Sequence, residues 1–478
     1  MSRSHFDSNI CLGAAGQSWD AVGAACVAMT QCLVMRLMAP LLLLVMCGWR
    51  LAAEDPVAVF TEHPRLFLRP ARLRLLQRER ERASVRWQQL DSWVAAGASL
   101  PEPGLAEALY YQVSGDRAAG RRAVTWALGS AADLRQLALV FDWCQSLLSD
   151  AERRDLIARM RQRITETAAD ESVAAVRSRV LAAVALYDHL PEIPNQELER
   201  VVRTWWAQKM APGLSTGRFV LPREDAYALW ELLHAIRDNT NIDLRECCRR
   251  FFKDFPIEHI MSHYPATYSG EDNDFHIGAW LKTGEPDLVA ATFSRAAELA
   301  MVAYDNNAEE SQYVQGWLMH DNFMLRSVLG APYEFLWANP YQPGLGFTLL
   351  PLIYHNAESG RLFVRSNWEE SSDWLGYFDG VAQLFRDGTV TSLDLTKASG
   401  PFAFQSAVIY IGASDRNFRV TLDDEQQFVI LAGLPPRRIY KVEIDDEELF
   451  EEMTDPGGIL ILDLLHGKEV GVRLRRRD

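Results

Sequence analysis

The chain has 478 residues, 48% hydrophobic and 10% aromatic, enough apolar surface for roughly two to four domains of about 100 to 200 residues and incompatible with global disorder. Forty-nine basic side chains against 64 acidic ones leave a net charge of −15, a far field that repels polyanions and excludes nucleic acid as a partner. Only six of the basic residues are Lys, so the cations are almost all planar guanidinium forks suited to carboxylates.

Residues 1–34 read as an extension or linker ahead of Met35. The run LMAPLLLLVMC (37–47), with Arg36 before it and Ala52 and Ala53 before Glu54, has the layout of a secretory signal peptide over residues 35–53 and is too short to span a bilayer. Its removal leaves no stable membrane span, and the expected destination is the periplasm or the medium. Four of the seven cysteines, Cys11, Cys26, Cys32 and Cys47, belong to this leading part. The remaining Cys144, Cys247 and Cys248 form no CxxC pair, so neither a disulfide framework nor a structural zinc is expected, and no metal or other cofactor is called for.

From Pro70 onward the apolar spacing is helical. Leu73, Leu76, Trp87 and Leu90 open the series, Leu134 to Trp143 follows, and Ser149-Asp150-Ala151-Glu152 reads as a capping box at the start of the next helix. Val180–Leu190, Leu198–Trp206, Ala226–Ile236, Leu288–Val302 and Trp317–Leu329 continue the pattern. About ten to twelve helices with no strand between them favour an (α/α) toroid over 58–335. Beyond a cluster of Pro340, Pro343, Gly344 and Gly346, short β-branched and aromatic runs such as AVIYI (407–411) and QFVILA (427–432) alternate with Asp-Gly and Pro-Gly-Gly turns. The expected fold is therefore α+β: a helical toroid, then an antiparallel β-sandwich over 340–478.

Several segments in that order carry a resemblance: HPRLFLRPARLRLL (63–76), LALVFDWCQSLLSDAERRDL (137–156), GRFVLPREDAYALWELLHAIRDNTNIDL (217–244), LWANP (336–340) and GRLFVRSNWEESSDWLGYFDG (360–380). Together they resemble the heparinase II/III-like polysaccharide lyases and their alginate-lyase relatives, whose fold is a toroid followed by a sandwich. The resemblance implies an acidic polysaccharide or oligosaccharide as partner and β-elimination as the reaction. The chain departs from the family twice. Ser178 and Arg179 stand about where a helix-opening Asn is expected, and VAQLFRDGTVTSLDL (381–395) has no histidine where the family's sandwich carries one.

β-Elimination needs a cation for the uronate carboxylate, a base for the C5 proton and an acid for the leaving oxygen. The resemblance places Tyr227 at the family's Tyr-bearing helix, as a proton-transfer group whose pKa a neighbouring cation would lower, with Arg223 one turn earlier as carboxylate partner. The richest polar cluster is HYPATYSGEDNDFH (263–276), read as a loop; His263, Tyr268 and His276 are its candidate catalytic groups, and Tyr264, Asp272 and Asp274 its candidate binding groups. His320 is a further cleft candidate. A hydrolase would instead pair Glu224 or Asp225 with Asp272 or Asp274, and a relative without catalysis would bind glycan or serve as a scaffold.

Overall fold

The computed structural model describes residues 57–478 except 281–283, 413–415, 427, 447 and 478. The expected extension and signal peptide therefore lie outside the described residues. Pro56–Asp478 forms one compact unit. Among the described residues no helix is long and apolar enough to cross a membrane.

The helices in chain order are α1 (Pro70–Glu81), α2 (Val85–Ala95), α3 (Pro103–Ser114), α4 (Arg117–Ala127), α5 (Leu134–Trp143), α6 (Asp150–Glu166), α7 (Val173–Leu186), α8 (Glu192–Glu199), α9 (Ala211–Ser215), α10 (Arg223–Thr240), α11 (Arg249–Met261), α12 (Leu288–Tyr304), α13 (Glu309–His320) and α14 (Ala331–Trp337). A π-helical stretch, Arg200–Met210, continues α8 into α9. Six of them close a ring: α3 packs on α5, α5 on α7, α7 on α10, α10 on α12, α12 on α14, and α14 returns to α3. Helices inside a ring meet neighbours on every side and read as apolar all round. Every residue of α5 and of α14 is buried. Helices outside the ring bury a single stripe, as α6 does with Leu156, Met160 and Ile164.

Local chemistry sets the ends of these helices. Ser149 and Glu152 form the full capping box expected at α6. The side chains of Asp133, Ser172 and Asp287 cap α5, α7 and α12. Asn241, left-handed at φ 59°, ends α10. The helix expected over Trp317–Leu329 stops at His320, because Asn322 and Phe323 both take positive φ, 53° and 59°.

The segment 263–276 is also not the loop read from its Asp, Asn and Gly content. β1 (His263–Ser269) and β2 (Asp274–Gly278) pair antiparallel across a turn closed by the Gly270 N–H donating to the Asn273 carbonyl at 3.0 Å. This hairpin interrupts the helical run between α11 and α12.

The strands after α14 are β3 (Ile353–Asn356), β4 (Arg361–Arg365), β5 (Trp374–Phe378), β6 (Val381–Arg386), β7 (Thr389–Leu393), β8 (Ser399–Ala403), β9 (Ala407–Ile411), β10 (Arg416–Thr421), β11 (Phe428–Ala432), β12 (Ile439–Ile444), β13 (Glu448–Met453), β14 (Leu460–Leu462) and β15 (Glu469–Arg476). They form three sheets: a β3–β7 meander, a sheet ordered β14-β11-β9-β8, and a sheet ordered β10-β15-β12-β13. The middle sheet buries both faces, Ile409, Ile411 and Ile430 against Leu362, Val364 and Leu375 of the meander, and Tyr410, Val429 and Leu431 against Tyr440, Val442 and Leu474 of the last sheet. The antiparallel sheets expected from the sequence follow the helices as a stack of three, and the middle layer also holds one parallel pair, β9 with β11. A strand covered on both faces reads as a continuous apolar run, which is why AVIYI shows no alternation.

The outer face of the meander packs Phe363, Trp374, Phe378 and Phe385 into the same apolar cluster as the helices. Trp374 is fully buried, and its Nε1 donates to the Met261 carbonyl at the end of α11. Replacing Trp374 with Ala should cost about 3–5 kcal/mol, read as a lower denaturant midpoint for the whole unit in chemical unfolding.

Candidate functional site

A cavity of about 450 Å3 opens in the helical part, lined by Glu102, Asp133, Arg135, Asp170, Ser172, Arg177, Ser178 and Phe293 among others. Behind it lies the carboxylate of Glu231, wholly buried on α10. Arg135 of α5 reaches Glu231 with Nε at 2.8 Å and Nη2 at 2.6 Å, while Arg177 of α7 donates to its second oxygen. Arg135 also donates from Nη1 to Glu102 at 2.9 Å, and Tyr333 of α14 donates to the same carboxylate. Burial alone would push Glu231 up; the two guanidinium groups outweigh it and hold the carboxyl below its ordinary value.

Tyr227 belongs to this network. Its hydroxyl donates to Glu231 at 2.7 Å and accepts from Trp337 Nε1 at 3.0 Å. Burial first, then the adjacent Glu231 charge, pushes the phenol well above its ordinary value. This reverses the lowered value expected of a proton-accepting Tyr. Arg135 lies 5.8 Å from the Tyr227 ring centre, yet its charge is spent on the carboxylates.

Arg177 is arranged differently. Its side chain is 13% exposed at the cavity wall. Nη1 is held by Glu231 and Nε lies 3.3 Å from Ser178 Oγ, which leaves Nη2 with no acceptor among the described residues. Ser178, one of the two residues at the expected Asn position, lines the same cavity. The other, Arg179, is fully buried against Glu197 at 2.7 Å and takes no part.

A second cluster forms where the hairpin meets α10, α11, α12 and the meander. His263 Nδ1 lies 2.8 Å from the His259 carbonyl, which can only accept, so this nitrogen carries the proton. His263 Nε2 is then the acceptor for Arg223 Nη1 at 3.1 Å. Arg223 also donates to Ser294 Oγ at 3.1 Å and Ser262 Oγ at 2.5 Å. Burial lowers Arg223 to about 10. Burial, reinforced by Arg223, pushes His263 well below its usual range. Gly278 makes room for this guanidinium: a Cβ there would fall 2.1 Å from Arg223 Cζ. His259 Nε2 contacts Glu298 Oε1 at 2.8 Å, and Arg295 bridges Glu298 at 3.1 Å to Asp321. His276 completes the group, with Nε2 2.8 Å from Asp321 and its ring 4.1 Å from that of Trp317.

Arg223, His263 and His276 are therefore brought together. Tyr264 lies beside them, buried, its hydroxyl donating to Gln383 of β6 at 2.8 Å. The others are dispersed. Tyr268, Asp272 and Asp274 are exposed on the hairpin, and Glu224 is exposed at the start of α10. Asp225 is half-buried, its carboxyl raised by burial and by Glu224. His320 is exposed, with Nδ1 3.0 Å from Asp321 Oδ1. The sequence reading missed Glu231, Arg135 and Arg177, and also His259 and Glu298. One signal was available for Glu231: it stands four residues after Tyr227 on a helix, a spacing that places both side chains on one face.

No family model matches the chain, and no curated protein matches it. A solved structure described as a glycoside hydrolase aligns at a TM-score of 0.29 and 9% identity, over 79% of this chain and 71% of that one, a likeness too remote to bear on activity.

Removing the Glu231 charge leaves the buried Arg135 guanidinium with Glu102 alone and Arg177 without its carboxylate, and breaking a buried ion pair by removing one partner costs about 3–5 kcal/mol. Glu231→Gln should therefore lower the melting temperature markedly. Because the folded-state value of Glu231 lies below its unfolded value, its contribution is complete above about pH 4.3 and is lost as pH falls through the folded value. A melting temperature against pH should show wild type converging on Glu231→Gln in acid.

Proposed function

We propose that the protein binds a glycan in the cavity beside Arg177, as a relative of the heparinase II/III-like lyases that does not carry out β-elimination. The observation that carries the reading is a guanidinium fixed at the wall of a cavity by Glu231, with an Nη2 that has no acceptor among the described residues. Carboxylates and serine hydroxyls around it suit sugar hydroxyls, and Phe293 supplies an apolar face. Arg177 offers one donor pair to a carboxylate or sulfate. Glu102, Asp133 and Asp170 surround it with negative charge, so a glycan with isolated acidic groups suits the cavity better than a polyuronate charged on every ring. Export to the periplasm or the medium is part of the same reading.

The bases that β-elimination needs are committed elsewhere. The Tyr227 hydroxyl is spent on Glu231 and its ionised form is disfavoured, and the His263 lone pair is held by Arg223. Among the cavity carboxylates, Asp170 is pulled below its ordinary value by the Ser172 backbone N–H, the reverse of what a glycosidase's general acid requires.

Titration calorimetry against neutral, sparsely carboxylated and fully uronate oligosaccharides tests the proposal. The sparsely acidic ligands should bind best, and Arg177→Ala should weaken them at least tenfold while leaving neutral ones within about twofold, the loss of one charge-assisted contact. Ultraviolet absorbance from an unsaturated uronyl product with any ligand would overturn the non-catalytic reading.

A further inference from the structure

His259, His263 and Glu298 converge from the last turn of α11, the first residue of β1 and the middle of α12. One ligand atom from each lies within 4.8 Å of the others. Glu298 Oε1 is 2.8 Å from His259 Nε2 and 3.7 Å from His263 Nε2. These separations bracket the roughly 3.3 Å between donor atoms when four of them surround a zinc ion at about 2.0–2.1 Å. We propose that His259 Nε2, His263 Nε2 and Glu298 Oε1 form a site for a transition-metal dication such as Zn2+, which displaces the Arg223 guanidinium from His263. The proposal is independent of the glycan reading and runs against the sequence expectation of no metal.

Three further features of the geometry support it. Ligating imidazoles fix their orientation by donating the other ring N–H to a carbonyl or carboxylate, and His263 does this through Nδ1 to the His259 carbonyl. The donor set of two imidazoles and one carboxylate selects zinc and its neighbours over calcium or magnesium, which take oxygen-rich cages. All three ligands are buried, and two His with one Glu leave the fourth position of a tetrahedral zinc to a further group.

Arg223 is the competitor. Its Nη1 holds the His263 lone pair at 3.1 Å, so metal binding replaces one cation by another and leaves the Glu298 charge compensated. A bound ion would tie α11, β1 and α12 together where Arg365 of β4 donates to the His263 carbonyl at 2.9 Å.

The test uses the full chain, stripped with a chelator and dialysed against Zn2+, Mg2+ or Ca2+. Metal content is read by mass spectrometry, affinity by competition with a chromophoric chelator, and stability by thermal melting. The expected result is one Zn2+ per wild-type chain, a melting temperature that rises with Zn2+ but not with Mg2+ or Ca2+, at least tenfold weaker binding in Glu298→Gln and His263→Asn, and at least tenfold tighter binding in Arg223→Met. The wild-type melting shift needs no variant to fold. Three outcomes overturn the proposal: no Zn2+ retained by wild type, Zn2+ retained equally by Glu298→Gln and His263→Asn, or Zn2+ retained by Arg223→Met alone, which would make Arg223 the permanent cation of the cluster.

Discussion

A buried carboxylate has to be paired, and in this protein one such pairing organises the helical ring. Glu231 on α10 draws Arg135 from α5 and Arg177 from α7. Arg135 in turn holds Glu102 at the start of α3, and Glu102 receives Tyr333 from α14. Five of the six ring helices thus meet through a single chain of charge-assisted hydrogen bonds. Ion pairs of this kind add little net stability over a hydrophobic substitute, but breaking one is costly, so they specify geometry more than they strengthen it. The cavity owes its shape to the same network: Arg135 and Arg177 form its wall because Glu231 anchors them from behind.

Two acid–base clusters a few residues apart in sequence follow from one helix. Arg223 and Tyr227 are one turn apart on α10, yet Arg223 joins the hairpin cluster and Tyr227 the ring network. Spacing alone joined them in a single imagined cleft. What separates them is tertiary: the hairpin supplies His263 and a side-chain-free Gly278 to receive the guanidinium, while Glu231 and Trp337 enclose the phenol.

The parts legible in the sequence were those fixed locally. The capping box at Ser149, the apolar face of Leu134–Trp143 and the run of helices before the strands all rest on contacts within a few residues. The hairpin was hidden because its turn residues, Gly270 to Asn273, dominate the composition of a segment whose strands are only seven and five residues long. The strand pairing was not legible because short strands announce their own burial and not their partners, and β9 pairs in parallel with β11 across the excursion that contains β10. Tyr227 stood out through the resemblance that placed it at a Tyr-bearing helix, and Arg223 through its position one turn earlier. Glu231 did not, since one carboxylate among 64 acidic residues becomes distinctive only once its burial is known.

The ring closes through its last helix, and this bears on how the chain reaches its native state. Tyr333 and Glu102 are 231 positions apart, so the contact that completes the network waits for almost the whole helical part to be synthesised. Loop-closure entropy delays such non-local pairings relative to the local helices around them. Until α14 docks on α3, the partly built ring holds charged side chains without their full complement of partners and leaves the inner faces of its helices open to water. Docking of the seven residues Ala331–Trp337 on α3 is thus the contact that closes the ring.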